Sequence, residues 1–181
     1  MTPLTWALVA LLAVLGFWSV GAYNRLMSLR NAISEAFAEL DRQLSQRAQV
    51  CEQLVTQVKP LLPNEQATFD ALANAQAEAQ AAALAARGRP WSPDTVGALA
   101  VATSLHGAAQ ARLMSLLEHA SELHDAAGLG ALMDELKLVE RQRAFARQVF
   151  NQTVERYNEA IAQIPTRALA RLYRFTAARP L

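Results

Sequence analysis

Apolar side chains recur every three or four residues along almost the whole chain, the spacing that puts them on one face of an α-helix. The first such stripe is Leu26, Leu29, Ile33, Phe37, Leu40, Leu44, Cys51, Leu54 and Val58. Lys59-Pro60-Leu61-Leu62-Pro63 ends it, because proline lacks the amide hydrogen and clashes with the preceding turn. A weaker stripe, Phe69, Leu72, Gln76, Ala79 and Ala83, marks a second helix over about 64–87. Its alanines favour helix but offer little area to bury. Ser92-Pro93-Asp94 opens a third helix, with Ser as N-cap, Pro in the first turn and Asp on the positive end of the dipole. Its stripe is Leu99, Ala102, His106, Ala109, Leu113, Leu116, Ala120 and Leu123, and Gly128-Leu129-Gly130 closes that region. A fourth helix carries Leu132, Leu136, Val139, Ala146, Phe150, Thr153, Tyr157, Ala160 and Ile164, up to Pro165. Four amphipathic helices with short breaks predict an all-α fold, an antiparallel four-helix bundle over 23–165. Residues 166–181 read as a basic C-terminal tail.

Ahead of the bundle the pattern changes. No charged side chain precedes Arg25, and residues 4–22 are nearly all apolar. At 1.5 Å per residue that run reaches about 28 Å, close to the hydrocarbon thickness of a bilayer. Trp6 stands near one end, Trp18 and Tyr23 near the other, where interfacial aromatics belong. Residues 1–22 therefore read as an N-terminal transmembrane anchor. A cleaved signal peptide is the rival: Val20-Gly21-Ala22 suits cleavage, but no Lys or Arg precedes the run. Only Gly21 could break the helix between anchor and bundle, so the two can be continuous. Arg25 and Arg30 flank the C-terminal end before the first acid, Glu35, which places the body in the cytoplasm and the N-terminus outside.

Composition agrees. Ala and Leu make up roughly a third of the 181 residues, and seven Gly and seven Pro are too few for a turn-rich β fold. A single cysteine excludes an intrachain disulfide and any Cys-based metal cluster. The net charge of +1 hides an asymmetry: residues 31–166 hold eleven basic and all sixteen acidic side chains, a net of −5. The remaining basic residues are Arg25, Arg30, Arg167, Arg171, Arg174 and Arg179. An up-down-up-down course returns the tail to the membrane, where Leu169, Leu172, Tyr173 and Phe175 interleave with arginines. Two readings of that tail stand: an element at an anionic leaflet, or a cap on the bundle with solvated arginines. An acidic body speaks against nucleic acid as partner.

Catalytic patterns are absent. His119 and His124 fall about 140° apart around a helix, no Glu-x-x-His or HExxH occurs, and P-loop, GxGxxG and GxSxG are missing. No cofactor is implied. His106 and Cys51 sit on apolar stripes and read as core residues. Arg47 interrupts the first stripe and Arg143 the fourth. Arg143 reads as a side chain that snorkels to water, and Arg47 as half of a buried ion pair with Glu140 or Glu35.

Tyr23-Asn24, Leu29-Arg30-Asn31, Asp41, Leu44, Arg47 and Leu54-Val55, with Glu140, Ala146-Arg147, Asn151, Val154, Tyr157-Asn158, Ile161 and Pro165, resemble the opening and closing helices of the LemA family. Phe150 stands where that family carries Tyr. The resemblance implies a four-helix bundle on one N-terminal membrane helix, in the inner membrane of a bacterium, with no assigned activity. It singles out Arg47, Glu140, Arg147, Asn151, Tyr157 and Asn158 as a polar set shared by the first and last helices, either structural glue or an interaction surface. The expected function is a non-enzymatic scaffold or interaction module at the inner leaflet, bound to the lipid bilayer and an unidentified membrane or membrane-proximal protein. The alternative is a tethered enzyme or small-ligand binder using the polar set. Leftover apolar residues Leu138, Phe145 and Val149 would allow a homo-oligomer.

Overall fold

The computed structural model describes residues 3–119 and 128–181. Ala120, Leu123 and His124 lie outside the described residues. The described residues form helices and no strand: α1 Pro3–Val58, α2 Gln66–Arg87, α3 Pro93–His119, α4 Leu129–Ala162 and α5 Thr166–Leu172, with a 3-10 turn at Pro63–Glu65.

Helix α1 runs unbroken for 56 residues, about 84 Å. The apolar run and the first stripe are thus one helix, continuous through Gly21. Burial begins only at Leu26. The first turns are bare, with Phe17 82 % exposed. Their mean hydropathy reaches 2.0 over 18 residues with none buried, long and apolar enough to cross a membrane. Pro60 stops the helix beyond Val58, as its missing amide requires.

Helix α4 lies antiparallel along α1: Leu26 meets Ala160, Phe37 meets Phe150 edge to face at 6.0 Å, and Arg47 meets Glu140. Helices α2 and α3 pack on each other and close over this pair. Gly128, at φ 93°, turns the chain into α4 in a conformation that suits glycine. Two apolar clusters fill the interior. The first gathers Ile33, Phe37, Leu40, Ala86, Leu99 and Phe150 near the α1 stalk. The second gathers Cys51, Leu54, Phe69, Leu72, Leu113, Leu117 and Leu136 at the far end.

Stripe membership differs from expectation by single steps. Gln110 and Leu117 are buried in place of Ala109 and Leu116, Met133 in place of Leu132, and Val154 in place of Thr153. At 3.6 residues per turn, steps of three and four both reach the buried arc, and local partners decide between them. Gln110 is drawn in by polar neighbours, while the Thr153 hydroxyl donates to the Val149 carbonyl on its own helix. Ile164 lies beyond the end of α4 and is exposed.

The tail differs more. Residues 166–181 are packed against the bundle. Leu169 and Ala170 are buried, Ala170 beside Leu26 and Ala160. The chain then turns at Arg174, φ 56°, and runs back along α4. Ala178 is buried in the first cluster, with Phe175 and Leu181 against it. Pro165 marks the turn between α4 and α5.

Candidate functional site

Two polar constructions stand out, and the polar set divides between them. The first crosses the bundle between the two apolar clusters. Each long helix carries a polar residue there on its inward stripe: Arg47 from α1, Gln76 from α2, His106 and Gln110 from α3, Glu140 from α4. Arg47 is only 1 % exposed, though it carries a full charge. Its Nη1 lies 3.4 Å from Glu140 Oε1, while Arg143 Nε and Nη2 donate to Glu140 Oε2 at 3.0 and 2.8 Å. Arg143 thus pairs with Glu140 from its own helix and does not simply extend into water. Burial would raise the Glu140 carboxyl, but Arg143 and Arg47 outweigh it and hold the carboxyl below its ordinary value. The Gln110 side chain also helps hold that carboxyl down, and its Oε1 accepts a hydrogen bond from Cys51 Sγ at 3.7 Å.

His106 sits in this layer, 1 % exposed, and neither ring nitrogen has a partner among the described residues. Arg47 Nε is also unpartnered. Burial, reinforced by Arg47 and Arg143 against the weaker pull of Glu140, pushes the His106 pKa down to about 4. The imidazole is neutral at pH 7. Because the folded value lies below the unfolded one of about 6.5, the unfolded chain binds the extra proton first. The stabilisation is complete above about pH 6.5 and is lost progressively down to about pH 4. Urea midpoints should fall over this window, and His106→Gln should flatten that part of the profile.

Cys51 is fully buried, and burial pushes its thiol up to about 11. Native protein at pH 8 should resist iodoacetamide and react once unfolded; rapid native alkylation would show that the far end of the bundle opens.

The second construction is a clamp on the C-terminal segment. Asn158 donates to the Ala178 carbonyl at 2.9 Å and accepts from its amide at 2.8 Å. Asn151 makes the same pair with Leu181, both at 2.8 Å. Tyr157 Oη donates to the Thr176 carbonyl at 3.0 Å. Seven residues of helix advance about 10 Å, and three residues of extended chain cover the same length. Asparagines seven apart on α4 therefore match backbone groups three apart in the tail. Arg147 lies between the two constructions, exposed, on the rim of a cleft that also holds Leu181 and Arg143.

The six basic residues expected at the membrane surface divide as well. Arg25, Arg167, Arg171 and Arg174 are exposed, Arg25 in the stalk and the others on α5 and the turn after it. Arg30 instead stacks 3.7 Å from the Trp91 ring centroid and 5.9 Å from that of Phe175. The Arg179 guanidinium lies over Gly97, where a Cβ would come within 2.7 Å of Nη1. Arg30 is half-buried, whereas Arg179 stays exposed while its side chain lies against Gly97. Tyr23 touches Tyr173 and Phe175, which ties the turn after α5 to the stalk.

Among the described residues no group of three His, Cys, Asp or Glu is placed to hold a metal ion. The sequence profile of the LemA family matches residues 36–181. The chain belongs to the LemA family. No curated protein matches it. The match spans the polar layer, the clamp and the tail. Phe150, fully buried and edge-on to Phe37, has apolar surroundings that need no tyrosine hydroxyl.

Proposed function

We propose that this protein is a non-enzymatic interaction module. An antiparallel four-helix bundle is carried by the stalk of α1 at the cytoplasmic face of a bacterial inner membrane, with the N-terminus outside. The observation that carries the reading is an apolar row left uncovered beside the α1–α4 seam. Phe145 is 68 % exposed, with Leu138 and Val149 on the same face of α4 at spacings of seven and four. Ala36 and Ala146 floor the groove next to Phe145, and Glu39, Arg42 and Arg141 edge it. An exposed aromatic in an apolar groove with a charged rim is the anatomy of a protein–protein hot spot. A helix that continues from anchor to bundle without a hinge holds this face at a fixed attitude to the bilayer.

The test is a photocrosslinker at Phe145 in the full chain in its native membrane, with one at Arg112 on α3 as control. The reading expects a discrete protein adduct from Phe145, absent from Arg112 and abolished by Val149→Glu. Lipid adducts alone, or equal adducts from both positions, would overturn it.

A further inference from the structure

The polar layer opens into a small cavity that the docking face does not use. It holds about 50 Å³ and lies between α1, α2 and α3, lined by Arg47, Ser45, Gln76, Gln80 and His106, with Asp41 and Arg87 among its walls. One ordered water needs roughly 10–15 Å³ on this measure, so the space takes a few waters or one guest of a few heavy atoms. Nucleotides and sugar phosphates are far too large.

The charges on its wall are unequal. Asp41 is the carboxylate there, and it is already held by Arg87, Nε to Oδ2 at 2.9 Å and Nη2 to Oδ1 at 3.4 Å. Glu140, the counter-charge of Arg47, is not part of the lining. The wall therefore presents the guanidinium of Arg47 in excess. Two N–H donors there are without partners: Arg47 Nε and one nitrogen of the neutral His106 ring, on side chains each 1 % exposed. A buried donor left unmatched is costly, and a buried cation with spare donors favours a negative guest.

We infer that this cavity binds a small monovalent anion, of the size of formate or nitrate, between Arg47 Nε and the His106 ring. A planar oxyanion would accept from both donors at once. Gln76 and Gln80 would supply side-chain amides at the α2 wall, and the Asp41–Arg87 pair would border the opening. The other imidazole nitrogen would be left to water. This inference stands apart from the docking face and survives if that reading fails.

The experiment uses the full chain in nanodiscs with 15N-labelled histidine. Formate, nitrate and chloride are titrated at constant ionic strength against gluconate, which is too large for the cavity. A saturable shift of the His106 ring nitrogens with at least one small anion is expected, with a rise in melting temperature of a few degrees and no response to gluconate. His106→Gln identifies the resonance by its loss. Ser45→Leu, at an exposed helical position on the wall, should fold normally and abolish the response by plugging the space. An unmoved His106 signal in every anion would mean water alone fills the cavity and would overturn the inference. So would an equal response to gluconate, or a response that survives in folded Ser45→Leu.

Discussion

Arg47→Ala in the full chain is expected to lower the unfolding free energy by about 3–5 kcal/mol. Two losses combine. A large side chain leaves a hole at the centre of the bundle, and Glu140 keeps only Arg143 as its cationic partner. Arg47→Met should cost much less, because it fills the space and removes the buried charge together with its partial pairing. At 3.4 Å the contact with Glu140 is long for a charge-assisted hydrogen bond, so the pair contributes position more than strength. Urea unfolding followed by circular dichroism separates the variants. An unchanged midpoint in Arg47→Ala would mean that the buried pair does not hold the layer.

Asn158→Ala is expected to cost about 2–3 kcal/mol and to free the tail. Ala178 is buried, and both its amide and its carbonyl would lose their partner at once. Asn151→Ala should cost less, about 1 kcal/mol, because the Leu181 backbone is half-buried and can turn to water. The specific readout is amide hydrogen exchange at Ala178 and Leu181. Exchange should accelerate at both positions in Asn158→Ala, and proteolysis should cut the released segment after Arg174. Unaltered exchange at Ala178 would show that Phe175 and Leu181, packed against the first cluster, suffice to hold the segment.

The helices and their order were legible because burial on one face imposes a 3.6-residue period that prolines at 60 and 165 interrupt cleanly. The choice between Ala109 and Gln110, or Thr153 and Val154, was not, since both members of each pair fall within the buried arc. Arg47, Gln76, His106 and Arg143 each announced themselves as polar residues on an apolar stripe. Their common height could not be read, because it depends on how far each helix slides along its neighbours. That Arg47 pairs with an acid was legible from a long cationic side chain on an apolar stripe, but the choice of Glu140 over Glu35 needed the pairing of α1 with α4. The tail was legible only as two alternatives, a surface element or a cap on the bundle, because an extended segment held through its backbone leaves no mark in side-chain charge. Asn151 and Asn158, seven apart on one helical face, were the only signal that something extended lies along α4.

A rigid stalk, an uncovered apolar row and a buried polar layer serve one account only if the anchor is retained and the body faces the cytoplasm. The most direct measurement is the intact mass of the chain recovered from a bacterial membrane pellet after alkaline wash, paired with protease treatment of intact spheroplasts. The account expects residues 4–22 to be present in the pellet-bound chain, and the bundle to be digested only after lysis. A soluble chain that begins at Tyr23, or a bundle cleaved on intact spheroplasts, would contradict it.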